Sequence, residues 1–299
     1  MKNIIFLIAL MILSACTCKH ETKITLPNTE VQVINSKEND VAYKLFVSLP
    51  EGYDMEENHS YRKNYPVLYL LDPDIEFAML ESIAQTMVNY DTIEPFIIVG
   101  IGYQNQDLAA MNAKEFWNQW TKNRARDYIP IKVQQGKEDF EGGDHEYSEL
   151  SNLTGGSAKF KNFIEKELVP YINQTYRVSN ERALVCHSQA GLISSWMMLE
   201  NPGIFEKYII LSPSLWVEKG QMLKQSNRIK SSDKIIAYFA VGSQEHDEKG
   251  SMVNDLKTFY NSLHKPEGSN LKLEIIDDEN HVSMVPIALT RGLKYLFGK

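Results

Sequence analysis

After a polar stretch at about residues 17–29, the chain alternates short runs of β-branched and aromatic residues with longer stretches of helical periodicity. Residues 30–34 and 43–49 read as two strands joined at the turn dipeptide Asn39-Asp40. Further apolar runs follow at 67–71, 96–101, 183–186, 208–211, 235–241 and 271–276. Runs that are apolar throughout, without alternation, suit strands covered on both faces, and such strands are mostly parallel. The stretch 160–172 places apolar residues at 160, 163, 164, 168 and 172, a single helical stripe. This order predicts one α/β domain over residues 30–299, with a mostly parallel central sheet and helices on both faces.

Two segments depart from the pattern. At the N-terminus, Lys2 precedes an apolar run, 4–13, whose length suits a secretory signal and is too short for a bilayer span. Leu13-Ser14-Ala15-Cys16 resembles the bacterial lipobox, so residues 1–15 are expected to be a signal peptide, Cys16 the acylated N-terminus and 16–29 a tether to a bacterial membrane. The alternative is cleavage near Ala15, leaving an exported soluble protein with Cys16 and Cys18 as thiols. Cys186, in an apolar run, is expected to be buried, and three cysteines do not make a disulfide framework.

The second segment, 103–156, is too long for a plain connection. It carries Phe116, Trp117 and Trp120 at helical spacing, then Arg124, Arg126 and Asp127, then an acidic, glycine-rich part at 137–144. Either the aromatics anchor an insertion, or the segment is a lid over the strand ends, where α/β sheets bind ligands. On the second reading Trp117, Trp120, Arg124 and Arg126 would hold an anionic, ring-bearing substrate. Arg126 also suits a purely structural hydrogen-bonding role.

Composition narrows the function classes. With 43% hydrophobic and 23% charged residues the chain is an ordinary globular protein, which excludes disorder and a coiled coil. The formal net charge of -8, from 31 Lys+Arg against 39 Asp+Glu, provides no cation excess for a nucleic acid. No metal-binding spacing of His or Cys is present, so no metal or cofactor is expected.

The chemistry points to Ala183-Leu184-Val185-Cys186-His187-Ser188-Gln189-Ala190-Gly191, a strand that passes into a helix through a tight turn at Ser188. A nucleophile elbow needs this context, and small residues two before and two after the serine. An activated serine also needs a base, and the base an orienting acid. Glu245 follows one late strand and His281 the next, giving the order Ser188, Glu245, His281 that α/β-hydrolases use. Asp247, Asp277 and Asp278 are rival acids.

These motifs together resemble the esterase family of α/β-hydrolases that includes bacterial enterobactin and salmochelin esterases. The carriers are Tyr65-Pro66-Val67-Leu68-Tyr69-Leu70-Leu71-Asp72, Val99-Gly100-Ile101-Gly102-Tyr103, Arg126-Asp127-Tyr128-Ile129-Pro130, Gly155-Gly156, the Ser188 turn, Leu211-Ser212-Pro213-Ser214-Leu215-Trp216 and His281-Val282-Ser283-Met284-Val285-Pro286. The resemblance implies an ester hydrolase working through an acyl-enzyme on a small-molecule or glycan ester, with the amides of Gln189 and Asp74 as its oxyanion hole. A siderophore lactone or an acylated glycan would be the substrate. Departures from the family leave open a non-catalytic ligand-binding lipoprotein on the same fold. Cys186 and Ala190 stand where the family has glycine and are expected to crowd the turn. Pro73 replaces a glycine, lacks an N–H, and is expected to force Asp72 into an extended conformation, slowing the enzyme.

Overall fold

The computed structural model describes residues 25–53, 63–107, 109–133, 150–200, 203–217, 220, 234–247, 250–264 and 266–299. The expected signal peptide, Cys16, Cys18 and the acidic stretch 137–144 lie outside these residues. No helix among the described residues is long and apolar enough to cross a membrane.

All eight expected strands belong to one sheet, in the order β1-β2-β4-β3-β5-β6-β7-β10. They are β1 (Thr29–Asn35), β2 (Ala42–Ser48), β3 (Tyr65–Leu71), β4 (Ile97–Tyr103), β5 (Val178–His187), β6 (Lys207–Leu211), β7 (Ile236–Gly242) and β10 (Asn270–Ile276), with a small hairpin of β8 (His246–Asp247) and β9 (Gly250–Ser251). Pairing is antiparallel from β1 through β2 to β4 and parallel across the rest. This is the α/β-hydrolase fold. The strand β5 begins five residues earlier than its apolar run, because its polar first half, Ser179 to Arg182, lies toward solvent and only Ala183 to Cys186 is buried.

Alternate strand residues build two cores. Val67, Tyr69 and Leu71 face one side with Phe160, Phe163, Ile193 and Met197, whereas Leu68 and Leu70 face the other with Phe77, Leu80, Leu289 and Leu293. The second core is covered by α1 (Pro73–Asn89) and α7 (Met284–Phe297). On the first side lie α2 (Ala113–Tyr128), α3 (Ser157–Phe163), α4 (Val169–Thr175), α5 (Gln189–Glu200) and α6 (Met252–Ser262). The stripe read at 160–172 is real, although its helix widens into a π turn at Ile164–Leu168. Pro170 explains the widening: its ring cannot sit against the carbonyl four residues earlier in a regular helix. Phe163 stacks on Tyr43 at 4.1 Å, and burying an aromatic ring of this kind is worth roughly 1.5–3 kcal/mol.

Of the segment 103–156, residues 103–107, 109–133 and 150–156 are described. Its helix α2, opened by a capping box between Asn112 and Glu115, packs on α3 and α5 and buries Phe116, Asn123, Arg124, Asp127 and Tyr128. This helix is packed into the body of the domain.

Parallel pairing brings the C-terminal ends of β3 to β7 and β10 to one edge of the sheet. The loops leaving that edge contain Asp72, Ser188, Ser212, Glu245 and His281. Left-handed backbone angles at Asp72, Ser188, Ser212 and Asp278 concentrate there, where strain in non-glycine residues marks a functional site.

Candidate active site

Ser188 occupies the turn between β5 and α5 with φ 62°, the strained geometry of a nucleophile elbow. Its backbone is pinned from both sides, since its N–H donates to Leu211 O at 3.0 Å and its carbonyl accepts from Ser214 N at 3.0 Å. The hydroxyl is half-buried and meets Ser214 Oγ at 3.5 Å. Cys186 and Ala190 are fully buried beside it. A close approach falls at Gly191, where a Cβ would lie 2.9 Å from Pro213 Cα. The loop after β6 therefore requires glycine at 191. Burial raises the Cys186 thiol well above its usual pKa, so it stays a neutral packing group.

Glu245 and His281 are brought together from two strand ends. His281 Nδ1 lies 2.7 Å from Glu245 Oε2, and the other oxygen, Oε1, accepts from Ser212 Oγ at 2.6 Å and Gly242 N at 2.7 Å. Burial pushes the Glu245 carboxyl up, but the hydrogen bonds from His281, Ser212 and the Gly242 amide outweigh it and hold the carboxyl below its ordinary value. An ionised Glu245 only accepts, so His281 Nδ1 carries the proton and Nε2 is left as the basic nitrogen. Among the rival acids, Asp278 is held by Gln244 Nε2 at 2.8 Å and Asp277 is exposed, while Asp247 sits in β8. Gly242 makes the arrangement possible: a Cβ there would stand 2.3 Å from Glu279 O, in the loop that delivers His281.

The expected oxyanion amides stand at two helix N-termini on neighbouring strands, since β3 pairs β5 with Leu70 opposite Val185. Gln189 is the first residue of α5 and Asp74 the second of α1, positions whose N–H groups have no partner within the helix. Asp74 anchors its side chain inward, with Lys44 at 3.0 Å and Gln106 Nε2 at 2.9 Å. That side chain is only 4% exposed although the residue is half-buried, so its exposed part is main chain. Pro73 is the first residue of α1, where a missing N–H costs nothing and the fixed φ favours the helix. Asp72 is left-handed (φ 55°, ψ 45°), not extended as Pro73 predicts, because aspartate tolerates this region and Arg124 Nε holds its carboxylate at 3.2 Å. The extended Asp72 expected from Pro73 is thus not found. Gly100 completes the fit, for a Cβ there would lie 2.5 Å from Pro73 Cβ.

The substrate-binding candidates divide differently from expectation. Arg124 is buried, paired with Asp72 and stacked 3.8 Å over Trp120, so it supports the loop after β3 and presents no charge to a ligand. Desolvation pushes the Asp72 carboxyl up to about 6 despite this partner. Arg126 makes two hydrogen bonds to Asp127, at 2.9 and 2.8 Å, yet also lines a groove of about 480 Å³ with Asp40, Val41, Ala42, Gln104 and Asn105. Trp117 is 47% exposed and touches Trp120 edge-on. Sequence reasoning missed Ser212, which fixes Glu245, and Lys44 and Gln106, which fix Asp74. Ser212 lay within a recognised motif, whereas nothing local marks Lys44 or Gln106.

A family model described as Putative esterase matches residues 36–262, which include Ser188 and Glu245. The chain belongs to this esterase family. It is an esterase by that membership, as are the curated proteins it resembles. The ferri-bacillibactin esterase BesA of Bacillus subtilis is 26% identical over 282 residues, covering 91% of this chain and 90% of that protein. The siderophore enterobactin esterase of Emericella nidulans is 24% identical, covering 86% and 90%. The BES protein from Bacillus cereus shares the fold with a TM-score of 0.73, at 24% identity and over 93% of this chain and 99% of that one.

Proposed function

We propose that this esterase is an exported, lipid-anchored serine hydrolase that opens the lactone of a siderophore through an acyl-enzyme. The observation that carries the mechanism is the 2.7 Å bond from His281 to a Glu245 whose other oxygen is doubly held, at the same sheet edge as a left-handed Ser188. In this reading Ser188 Oγ attacks the ester carbonyl as His281 Nε2 takes its proton, and Glu245 stabilises the imidazolium. The amides of Gln189 and Asp74 donate to the developing oxyanion, each aided by the positive end of its helix. The imidazolium then protonates the departing alkoxide. Water, activated by the same imidazole, releases the acid and restores Ser188.

The siderophore reading is supported by the relatives, which are named for ferri-bacillibactin, salmochelin and enterobactin. The Arg126 groove lies at the start of β2 and the end of β4, and β4 is two strands from β5. At strand spacing that is roughly 10 Å, within reach of an arm of a large substrate but not of the scissile carbonyl. For purified protein, kcat/KM on a catecholate trilactone is expected to exceed that on p-nitrophenyl acetate or methyl ferulate by at least about tenfold. A preference for acetylated xylan would transfer the proposal to glycan esters, and absence of turnover on every ester would remove it.

Export and anchoring rest on Leu13-Ser14-Ala15-Cys16. Cys16→Ser is expected to move the protein from the detergent phase to the aqueous phase on partitioning, because several acyl chains on one cysteine hold a protein firmly to a bilayer. Wild-type protein found wholly in the aqueous phase would discard the anchor.

A further inference from the structure

The ring of His187, the residue before Ser188, touches two other parts of the site. Its Nε2 lies 2.9 Å from the main-chain oxygen of His281, and its Nδ1 lies 3.1 Å from Oε1 of Glu76, in the first turns of α1. The two imidazoles stand 4.5 Å apart at 37°. The His187 and Glu76 side chains are only 13% and 8% exposed. A carbonyl oxygen can only accept, so Nε2 of His187 carries a proton. Nδ1 then faces Glu76 either as a second donor to a carboxylate or as the acceptor from a carboxyl. In both cases Glu76 keeps the Nε2 proton aimed at His281.

We propose that His187 is a positioning residue, which with Glu76 clamps the main chain of the His281 loop and so sets where the catalytic imidazole stands relative to Ser188. One ring thereby ties three elements together: the nucleophile turn that carries His187, the oxyanion helix α1 that carries Glu76, and the histidine loop. Glu245 fixes the orientation of the His281 ring through Nδ1, while His187 fixes the backbone from which that ring projects. Both constraints are needed, since a displacement of about 1 Å in a reacting group costs on the order of a hundredfold in rate. The inference rests on the acyl-enzyme reading of the site.

Side-chain geometry supplies the test. A glutamine places an N–H near the position of a histidine Nε2, whereas an asparagine places one near Nδ1. His187→Asn and Glu76→Leu are expected to lower kcat on p-nitrophenyl acetate by about ten- to a hundredfold with KM within about twofold. His187→Gln and Glu76→Gln should keep kcat within about fivefold of wild type, because the donor to His281 is preserved. Thermal unfolding identifies any variant that does not fold, and the Glu76 pair then decides in place of the His187 pair. Proton NMR of the full chain gives a readout independent of turnover: the hydrogen-bonded Nδ1 proton of His281 should shift or broaden in His187→Asn and stay in place in His187→Gln. If wild type cleaves no ester, the acyl-enzyme reading fails and the resonance still decides the clamp. Wild-type kcat and an unmoved resonance in folded His187→Asn would overturn the proposal, as would equal impairment by glutamine and asparagine.

Discussion

Ser188→Ala or His281→Ala is expected to lower turnover of an activated ester by about 10⁴-fold or more, and the double variant should be hardly worse than either. Near-additivity fails because the two groups act in one step: without the serine there is nothing for the base to activate, and without the base the hydroxyl stays protonated. Residual rate should survive, since the amides of Gln189 and Asp74 still stabilise an oxyanion formed by attack of water. A fluorophosphonate probe checks the same claim without a substrate, as it should label wild type on Ser188 and leave Ser188→Ala unlabelled. In this structure the hydroxyl meets Ser214 Oγ at 3.5 Å. Wild-type turnover in Ser188→Ala, measured on an ester that the wild type cleaves, would sink the covalent mechanism, and a wild type that resists the probe would favour a non-catalytic binding protein.

Glu245→Gln is expected to cost about 10³- to 10⁴-fold in kcat while leaving the fold intact, through the wrong tautomer of His281. The hydrogen bonds fix the orientation of the new amide. Oxygen Oε1 of Glu245 receives the Gly242 N–H and the Ser212 hydroxyl, so the glutamine must keep its carbonyl oxygen there. Its NH₂ then replaces Oε2 and donates to His281 Nδ1. The ring proton is forced onto Nε2, the nitrogen that has to be free to accept from Ser188. Asp277→Asn should leave kcat near wild type, because that residue is exposed. The pH dependence has a definite sign as well. The Glu245 carboxyl lies below its ordinary value, so the stability it contributes is present above the unfolded pKa and is lost only as pH falls through the lower folded one. Loss of the Glu245 charge is therefore expected to affect kcat only below the ordinary carboxylate range. A kcat unchanged in Glu245→Gln would move the acid role to another carboxylate.

The eight strands, their parallel character and the order of Ser188, Glu245 and His281 were legible along the chain. Strands buried on both faces must be apolar throughout, and a nucleophile turn must join such a strand to a helix, so both leave a local trace. Tertiary contact alone decided the rest. The sequence left four carboxylates competing for His281, and the choice of Glu245 followed from Gly242 and Ser212, which hold its second oxygen from different strand ends. The sequence made Arg124 a ligand candidate, whereas its burial against Asp72 and Trp120 depends on how α2 packs. It made Asp72 extended ahead of Pro73, whereas Asp72 is left-handed and paired with Arg124. Ser212 with Glu245 and Arg124 with Asp72 are far apart in the chain and meet only in the fold. Hydrophobic periodicity reports only which face of an element is buried, so it fixes the layers and the edge that carries the site, and the folded packing selects which polar atoms meet there.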